Sequence, residues 1–328
     1  RVNLSKQQFQ QLKKICIIRT DKLGDMVLTL PMFRIIKYIN PQVQTILICS
    51  IYVSPLVEGI EFVDKIYYIE ETTIKEINKI ENIDLIFFPR AEFSEIWQSY
   101  ISGIKYRVGT AYRLYSFLYT IKIKDHRKVS KFHEAEYNLR MISQITNETY
   151  HVNLVAPQIN IKDTIYPSFN DNKQLIILHP GSNGSAKDIT SETWRIVINK
   201  LLSMNFRLII TGLEKEKELC DSLANQSDEI INFCGKLSLK ETIALISRCN
   251  CLIANSTGII HIAASLNIAT IGFYPNTPHI GAARWGPYNK KTLIVSPKHG
   301  DDMSLIDSEM VESAINQITK IMNETDIC

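Results

Sequence analysis

Short Ile- and Val-rich runs alternate with amphipathic helical patterns along the whole chain. Buried parallel strands are near-continuous apolar runs joined by crossover helices, so this alternation is typical of α/β architecture. At 328 residues the chain is long enough for two such domains. We expect two doubly wound domains, residues 1–165 and 166–305, joined by a Pro-containing linker within 156–174. A final helical segment, 306–328, is a candidate to pack back on the first domain.

One long stretch of the second half is uncharged. No Asp, Glu, Lys or Arg occurs between residues 249 and 283, which by length alone would suffice for a membrane-spanning helix. Asn, Gly and Pro residues interrupt the stretch, and a helix in hydrocarbon does not carry so much turn chemistry. We therefore predict that it forms the core of a domain.

Charge balance and cysteine usage exclude several classes of protein. The chain has 37 Lys and Arg against 34 Asp and Glu, and a net charge of +3 is too small for general nucleic-acid binding. Its seven cysteines contain no C-x-x-C pair, and no His, Asp or Glu cluster has metal-ligand spacing. The sequence predicts neither a disulfide framework nor a metal site.

Asp25 lies at the turn between a strand predicted over Lys14–Arg19 and a helix predicted over Met26–Ile39, within IRTDKLGDM (18–26). In open parallel sheets ligands bind at such turns, and Gly24 permits close backbone approach. Asp25 is either the N-cap of the helix or a general base. One glycine does not supply the G-x-G-x-x-G path of a dinucleotide site, which disfavours an oxidoreductase.

A second turn, HPGSNGSAK (179–187), follows a buried strand predicted over Leu175–His179 in the second half. Its two glycines and small hydroxyl residues, Ser182 among them, expose backbone N–H groups, and Lys187 adds a positive charge. Such a loop suits phosphate. A plain surface turn is the alternative.

The third turn, NSTGIIH (255–261), leads from a strand into a helix N-terminus. Aligned N–H groups and the helix dipole favour an anion there, so a diphosphate is a natural ligand. Thr257 and His261 are four residues apart and share one helical face. A satisfied core histidine is the other interpretation of His261.

Residues 98–140 carry nine Lys or Arg and three acids. A solvated face and a docking surface for an anionic acceptor or anionic lipid are both consistent with this excess.

The three turns together, RTDKLGDMVLTLP (19–31), HPGSNGSAK and NSTGIIHIAASL (255–266), resemble glycosyltransferase family 9, the ADP-heptose:lipopolysaccharide heptosyltransferases. HEAEYNLRMI (133–142) and TGLEKEKE (211–218) match the same family in the same order. The resemblance implies a GT-B fold, in which two Rossmann-like domains face each other across a cleft. It also implies an inverting, metal-independent transferase with no cofactor.

The resemblance carries site residues onto this chain. Asp25 would be the general base, and Lys187 would hold the diphosphate or the donor sugar. Gly24, Arg107 and Arg113 would lie on the acceptor side. The residues implied for donor binding are Ser182, Glu216 (with Glu214 as its rival), Leu237, Ser256, Thr257, Gly258 and His261.

One residue departs from the family pattern. Members commonly carry Asn-Asp-Thr-Gly where this chain has Asn255-Ser256-Thr257-Gly258. Losing a carboxylate removes a strong acceptor for sugar hydroxyls but leaves the diphosphate turn intact.

The expected function is transfer of a sugar, heptose from ADP-heptose in the first instance, onto the lipopolysaccharide inner core. Another nucleotide-sugar donor and an inactive nucleotide-binding module are the alternatives. The expected partners are a nucleotide-sugar donor and an anionic lipopolysaccharide-core or lipid-linked acceptor, with no nucleic acid. The expected location is the cytoplasm, peripheral at the inner face of the cytoplasmic membrane.

Overall fold

The computed structural model describes residues 4–159, 172–184 and 186–325. The chain divides into two compact units, the first ending at Gln158 and the second beginning at Ile159. The boundary predicted at 165/166 and most of the predicted linker lie outside the described residues.

The first unit is built on a six-stranded parallel sheet. Its strand order is β3-β2-β1-β4-β5-β6, and every neighbouring pair is parallel. The strand order runs outward from β1 to β3 on one side and from β4 to β6 on the other, so the switch point lies between β1 and β4. Doubly wound sheets bind ligands at this point. The strands are β1 (Lys14–Arg19), β2 (Gln44–Cys49), β3 (Lys65–Tyr68), β4 (Leu85–Phe87), β5 (Tyr106–Thr110) and β6 (Ile121–Ile123).

The α-helices in the described part of this unit are α1 (Lys6–Gln10), α2 (Leu23–Val27), α3 (Pro31–Ile39), α4 (Ser54–Val57), α5 (Ile74–Glu81), α6 (Phe93–Ile101) and α7 (Glu134–Thr146). The single helix predicted over residues 26–39 is in fact two. Pro31 has no N–H to continue the hydrogen-bond ladder and opens α3 as its first residue. The helix therefore breaks between Val27 and Pro31, close to Asp25.

The second unit repeats the architecture. Its sheet has the order β12-β11-β10-β7-β8-β9, all parallel, with the reversal between β7 and β10. The strands are β7 (Leu175–His179), β8 (Arg207–Ile210), β9 (Ile230–Asn232), β10 (Cys251–Asn255), β11 (Ala269–Phe273) and β12 (Thr292–Val295). The prediction of two doubly wound parallel domains is confirmed.

The helices of the second unit are α8 (Ser191–Ser203), α9 (Lys217–Ala224), α10 (Leu239–Ile246), α11 (Gly258–Ser265), α12 (Ala282–Trp285) and α13 (Ser308–Thr325). Helix α13 is the final segment whose partner was left open. It packs on α8, β11 and β12, and Val311, Ile315 and Ile318 are buried in the core of the second unit. Helix α13 therefore forms part of the core of the second unit.

The uncharged stretch from 249 to 283 contains β10, α11 and β11. Both strands are buried along their whole length. None of the described helices combines the length and apolarity needed to cross a membrane. The stretch is therefore the centre of a parallel sheet, as predicted.

Candidate active site

The predicted catalytic carboxyl group lies at the carboxyl end of the first sheet. Arg19 ends β1, and Asp25 lies in the first turn of α2 with 9% of its surface exposed. The N-cap of α2 is Lys22, which makes no side-chain cap bond. The N-cap interpretation of Asp25 is therefore wrong.

Arg19 holds two carboxylates. Its guanidinium donates to Asp21 through Nε at 2.6 Å and Nη2 at 3.0 Å, and Nη2 also donates to Oδ1 of Asp25. Arg19 is 4% exposed, so these bonds form in a low-dielectric environment where charge-assisted bonds are strong. The arrangement fixes the Asp25 carboxylate in one orientation.

Burial raises the pKa of the Asp25 carboxyl to about 6. Arg19 opposes the rise by stabilising the anion, whereas the nearby carboxylates of Asp21 and Glu134 add to it. A carboxylate whose pKa lies near neutrality suits a general base, because it is ionised yet takes a proton readily. Asp25 has the environment that this role requires.

Asn138 on α7 supports the helix break beside Asp25. Its Nδ2 donates to the carbonyl of Leu28 at 3.0 Å and contacts the Thr29 hydroxyl at 3.3 Å. The Thr29 hydroxyl in turn donates to the backbone carbonyl of Asp25 at 2.7 Å. Asn138 is fully buried, so α7 fixes the backbone that carries the candidate base.

Two buried glutamates complete this cluster. Glu95 on α6 accepts a hydrogen bond from the Thr20 hydroxyl, and Glu134 on α7 pairs with Arg127. Burial raises the pKa of Glu95. Arg19, Asn138, Glu95 and Glu134 were not named as site residues from the sequence.

The three residues expected on the acceptor side have different surroundings. Gly24 is in the first turn of α2 beside Asp25, and Arg113 is exposed on the loop after β5. Arg107 is buried within β5, and its guanidinium donates to the carbonyls of Leu118, at 2.8 Å, and Ile104. The Arg107 guanidinium thus stabilises the backbone around β5, and the structure does not favour the acceptor-side role expected for it.

Glu216 joins two loops at the carboxyl end of the second sheet. Oε1 accepts from the backbone N–H of Asn183 at 2.9 Å, and Oε2 accepts from that of Leu213 at 2.8 Å. A Cβ at Gly181 would lie 2.1 Å from the Glu216 carboxyl carbon, so a side chain there would displace the Glu216 carboxylate. Its rival Glu214 lies against Gly235 instead. Of the two glutamates, Glu216 contacts the predicted phosphate loop.

The loop that follows β7 is buried and hydrogen-bonded near its start, whereas Lys187 near its end is exposed. His179 Nδ1 lies 3.0 Å from the Thr211 hydroxyl, and burial lowers the pKa of His179 to about 4, so the ring is neutral near pH 7. Ser182 is buried and bonds to Asp188. Lys187 is exposed and lies 3.5 Å from Asp301. An exposed pair of this kind contributes little to stability, so an anionic ligand can replace Asp301.

Asn255 ties the phosphate loop to the turn that opens α11. Its Nδ2 donates to the carbonyl of Pro180 at 2.6 Å, and its Oδ1 accepts from the N–H of Ile189. The next residues begin the helix: Thr257 is the N-cap of α11 and Gly258 its first residue. Asn255 thus fixes the position of the predicted phosphate loop relative to the turn that opens α11.

Thr257 has the features of a ligand-binding residue. It is 7% exposed, and its hydroxyl has no hydrogen-bond partner among the described residues. At the N-cap its side chain caps no N–H of the helix. A buried hydroxyl without a partner is costly, and a bound anion would satisfy it together with the free N–H groups of the first turn.

The remaining donor-side residues lie at the same edge of the sheet. Ser256 lies next to the buried phenol of Tyr274, and His261 is buried in α11 one turn after Thr257. Leu237 is half-buried between β9 and α10, and precedes Ser238, the N-cap of α10. The predicted donor residues therefore follow β7, β8, β9 and β10.

Taken separately, the two units present a buried carboxyl group suited to accept a proton and an anion-binding turn. These are the parts of a group-transfer enzyme with a phosphate-bearing donor. A sequence model of glycosyltransferase family 9 (heptosyltransferase) matches residues 99–311. The chain belongs to this family, it is a glycosyltransferase, and its two sheets are those of a GT-B fold.

Individual relatives agree with this assignment. A protein of Haemophilus influenzae named as a glycosyltransferase is 26% identical, over 94% of this chain and 96% of its own. Lipooligosaccharide heptosyltransferase 2 of Campylobacter jejuni is 26% identical over 85% of this chain and 87% of its own. The structure of E. coli ADP-heptose lps heptosyltransferase II superposes with a TM-score of 0.77 at 18% identity, over 94% of this chain and 99% of that one.

Proposed function

We propose that this chain is an inverting, metal-independent transferase that moves heptose from ADP-heptose onto the lipopolysaccharide inner core. The observation that carries the proposal is Asp25, a buried carboxyl group with a pKa of about 6, oriented by Arg19 at the carboxyl end of β1. Family membership supports sugar transfer. The names of the C. jejuni and E. coli relatives supply the heptose and the ADP-linked donor.

In the proposed reaction Asp25 takes the proton of an acceptor hydroxyl as that oxygen bonds to the anomeric carbon. The bond from the anomeric carbon to the diphosphate oxygen breaks on the opposite face, its electron pair leaves with ADP, and the configuration inverts. The transition state is loose, so positioning and electrostatic stabilisation supply most of the rate. The base accounts for the proton that the acceptor loses, and the anion site accounts for the charge that departs with ADP.

The leaving diphosphate would bind to the turn after β10. Its charge would be stabilised by the N-terminus of α11, the Thr257 hydroxyl and Lys187. With these groups the proposal includes no metal and no other cofactor. Activity that survives exhaustive chelation would support this part, and loss that only a divalent ion restores would contradict it.

A different sugar donor is the second candidate, and Ser256 is the observation that favours it. The family Asp at this position is replaced by a hydroxyl residue beside Tyr274. A neutral pair offers sugar hydroxyls weaker acceptors than a carboxylate does. A Ser256→Asp variant is expected to favour ADP-heptose over other donors if the substitution sets donor choice.

The decisive assay measures ADP release with ADP-heptose in the presence and absence of a lipopolysaccharide-core acceptor. Acceptor-dependent release by the wild type, with product of inverted configuration by NMR, is the expected result. A panel of UDP-, GDP- and dTDP-sugars tests the second candidate. Nucleotide binding without transfer to any acceptor would instead indicate an inactive binding module.

The proposal also includes a location. An acceptor built on a lipid is reached at a membrane, so we place the enzyme in the cytoplasm, peripheral at the inner face of the cytoplasmic membrane. Fractionation of cells expressing the full chain tests this placement.

A further inference from the structure

Helix α6 has an aromatic face that the first unit leaves exposed. Its inward face carries Glu95, Ile96 and Ser99. The opposite face shows an i, i+4, i+7, i+8 spacing of large apolar residues, each about half-exposed: Phe93, Trp97, Tyr100 and Ile101. The rings touch in sequence, with centroids 6.3 Å apart for Phe93 and Trp97 and 5.7 Å for Trp97 and Tyr100.

The loop after β5 extends this face. Tyr115 packs its ring against Phe93 with centroids 5.5 Å apart, so loop and helix form one surface. Leu114 is 98% exposed and Phe117 is 72% exposed. Exposed single apolar residues are ordinary, but a contiguous cluster of this size marks an interaction site.

Unpaired cations border the apolar cluster. Arg113, Lys122, Lys124 and Lys128 are exposed and form no ion pair with any described residue. The neighbouring acids are already paired, Asp125 with Arg140 and Glu134 with Arg127. The local positive excess seen in the sequence is therefore real on the surface of the folded unit.

The cationic segment lies beside the aromatic loop. The Tyr112 hydroxyl donates to the carbonyl of Lys124 at 3.1 Å, and its ring packs on His126 with centroids 4.6 Å apart. We refer to the exposed apolar residues of α6 and of the loop, together with the four cations, as the aromatic–basic surface.

We propose that the aromatic–basic surface docks on a lipid bilayer that contains anionic headgroups, with Leu114, Phe117 and Trp97 in the boundary between headgroups and acyl chains. This inference rests on the proposed function, which requires a lipid-linked acceptor. Trp and Tyr favour that boundary, exposed Leu and Phe gain by insertion, and Lys and Arg are attracted to anionic lipid.

The same helix connects this surface to the candidate base. On the inward face of α6, Glu95 accepts a hydrogen bond from Thr20, which adjoins Arg19. Docking through α6 would therefore bring the Asp25 edge of the first sheet close to the membrane, where a lipid-linked acceptor presents its sugar.

The test is co-sedimentation of the full chain with vesicles of phosphatidylcholine alone or mixed with phosphatidylglycerol. The wild type should bind the mixed vesicles, and Leu114→Ser/Phe117→Ser should bind at least about tenfold less. The matched control is Ile80→Ser/Leu305→Ser, which removes two exposed apolar residues elsewhere and should leave binding unchanged. Lys122→Gln/Lys124→Gln/Lys128→Gln should lose the preference for phosphatidylglycerol.

Trp97 supplies a direct readout. Brominated lipid should quench the fluorescence of the wild type, and Trp97→Phe should lose that quenching, since Trp194 is buried and Trp285 lies in the second unit. Equal binding of wild type and Leu114→Ser/Phe117→Ser would overturn the proposal. So would a wild-type dimer in sedimentation velocity that this double variant abolishes, because the surface would then join two copies. No donor or acceptor is present in either assay, so failure here leaves the proposed transferase activity untouched.

Discussion

Arg19 donates to both Asp21 and Asp25, and its Nη2 is shared between the two carboxylates. One buried cation thus fixes the candidate base and also limits how far burial raises the pKa of Asp25. The chemistry proposed for the first unit depends on this relationship.

Replacing Asp25 by Asn should remove transfer but not donor binding. An amide cannot take the acceptor proton, and loss of general base catalysis costs about 10² to 10⁴-fold in kcat. Stabilisation by ADP in a thermal melt should persist, since the anion-binding turn lies in the other unit. Asp21→Asn is the control, because that side chain shares Arg19 but is more exposed. Turnover by Asp25→Asn close to wild type would refute the assigned role.

The pH profile should report the Asp25 carboxyl. Its pKa is raised to about 6, so the base form is lost as pH falls through that value and kcat/KM should drop on the acid side. Arg19 lowers the pKa of Asp25, so Arg19→Met should move the acid limb to higher pH, and Arg19→Lys should restore it in part. An acid limb that stays fixed in Arg19→Met would show that another group titrates.

Glu216→Gln should disturb the loop that holds the donor. Both carboxylate oxygens accept backbone N–H groups, and an amide would place an NH₂ group against one of them, at a cost of about 1–3 kcal/mol. ADP affinity should fall, whereas Glu214→Gln, which contacts neither N–H, should leave it unchanged. Calorimetry with ADP and with inorganic diphosphate distinguishes ribose recognition by Glu216 from a role in ordering the loop. A loss confined to ADP indicates ribose recognition, and a loss for both indicates a loop-ordering role.

Thr257→Val should have opposite effects on stability and on binding. The Thr257 hydroxyl is buried with no partner among the described residues, so its removal should leave the free energy of unfolding equal or higher. Diphosphate affinity should weaken about tenfold, or about 1.4 kcal/mol. Thr211→Val is the matched control, since that hydroxyl bonds to His179, and it should lose stability instead. Unaltered ADP binding by Thr257→Val would remove Thr257 from the anion site.

Local patterns predicted the central strands well. β1 and β7 match the predicted bounds because each is a buried apolar run between polar residues. The edge strands β6 and β12 were not predicted, since they are short and only partly buried, and an edge strand needs no continuous apolar run. The break between α2 and α3 was also missed, although Pro31 was visible as its cause.

Some residues of the candidate site were also predicted from the sequence, and others became evident only from the structure. The three turns were found from sequence because glycines, small hydroxyl residues and an acid at strand ends have a local chemical meaning. The sequence left Glu214 as a rival of Glu216. The position of Glu216 between two loops became evident only from the structure, in which Gly181 leaves room for its carboxylate. No local signal marks Asn138, whose partners Leu28 and Thr29 are brought near by the fold. Arg19 is close to Asp25 in sequence, but the pattern of residues does not show that the two side chains meet.

The sequence by itself determined the α/β class, the two-domain organisation and the candidate base, because strand periodicity and turn chemistry are properties of neighbouring residues. Only the tertiary structure decided that Asp25 is buried against Arg19, that Arg107 donates to backbone carbonyls, and that α6 leaves its aromatic face exposed. Burial depends on segments far apart in the chain, and burial sets both the pKa of the Asp25 carboxyl and which face of α6 stays exposed.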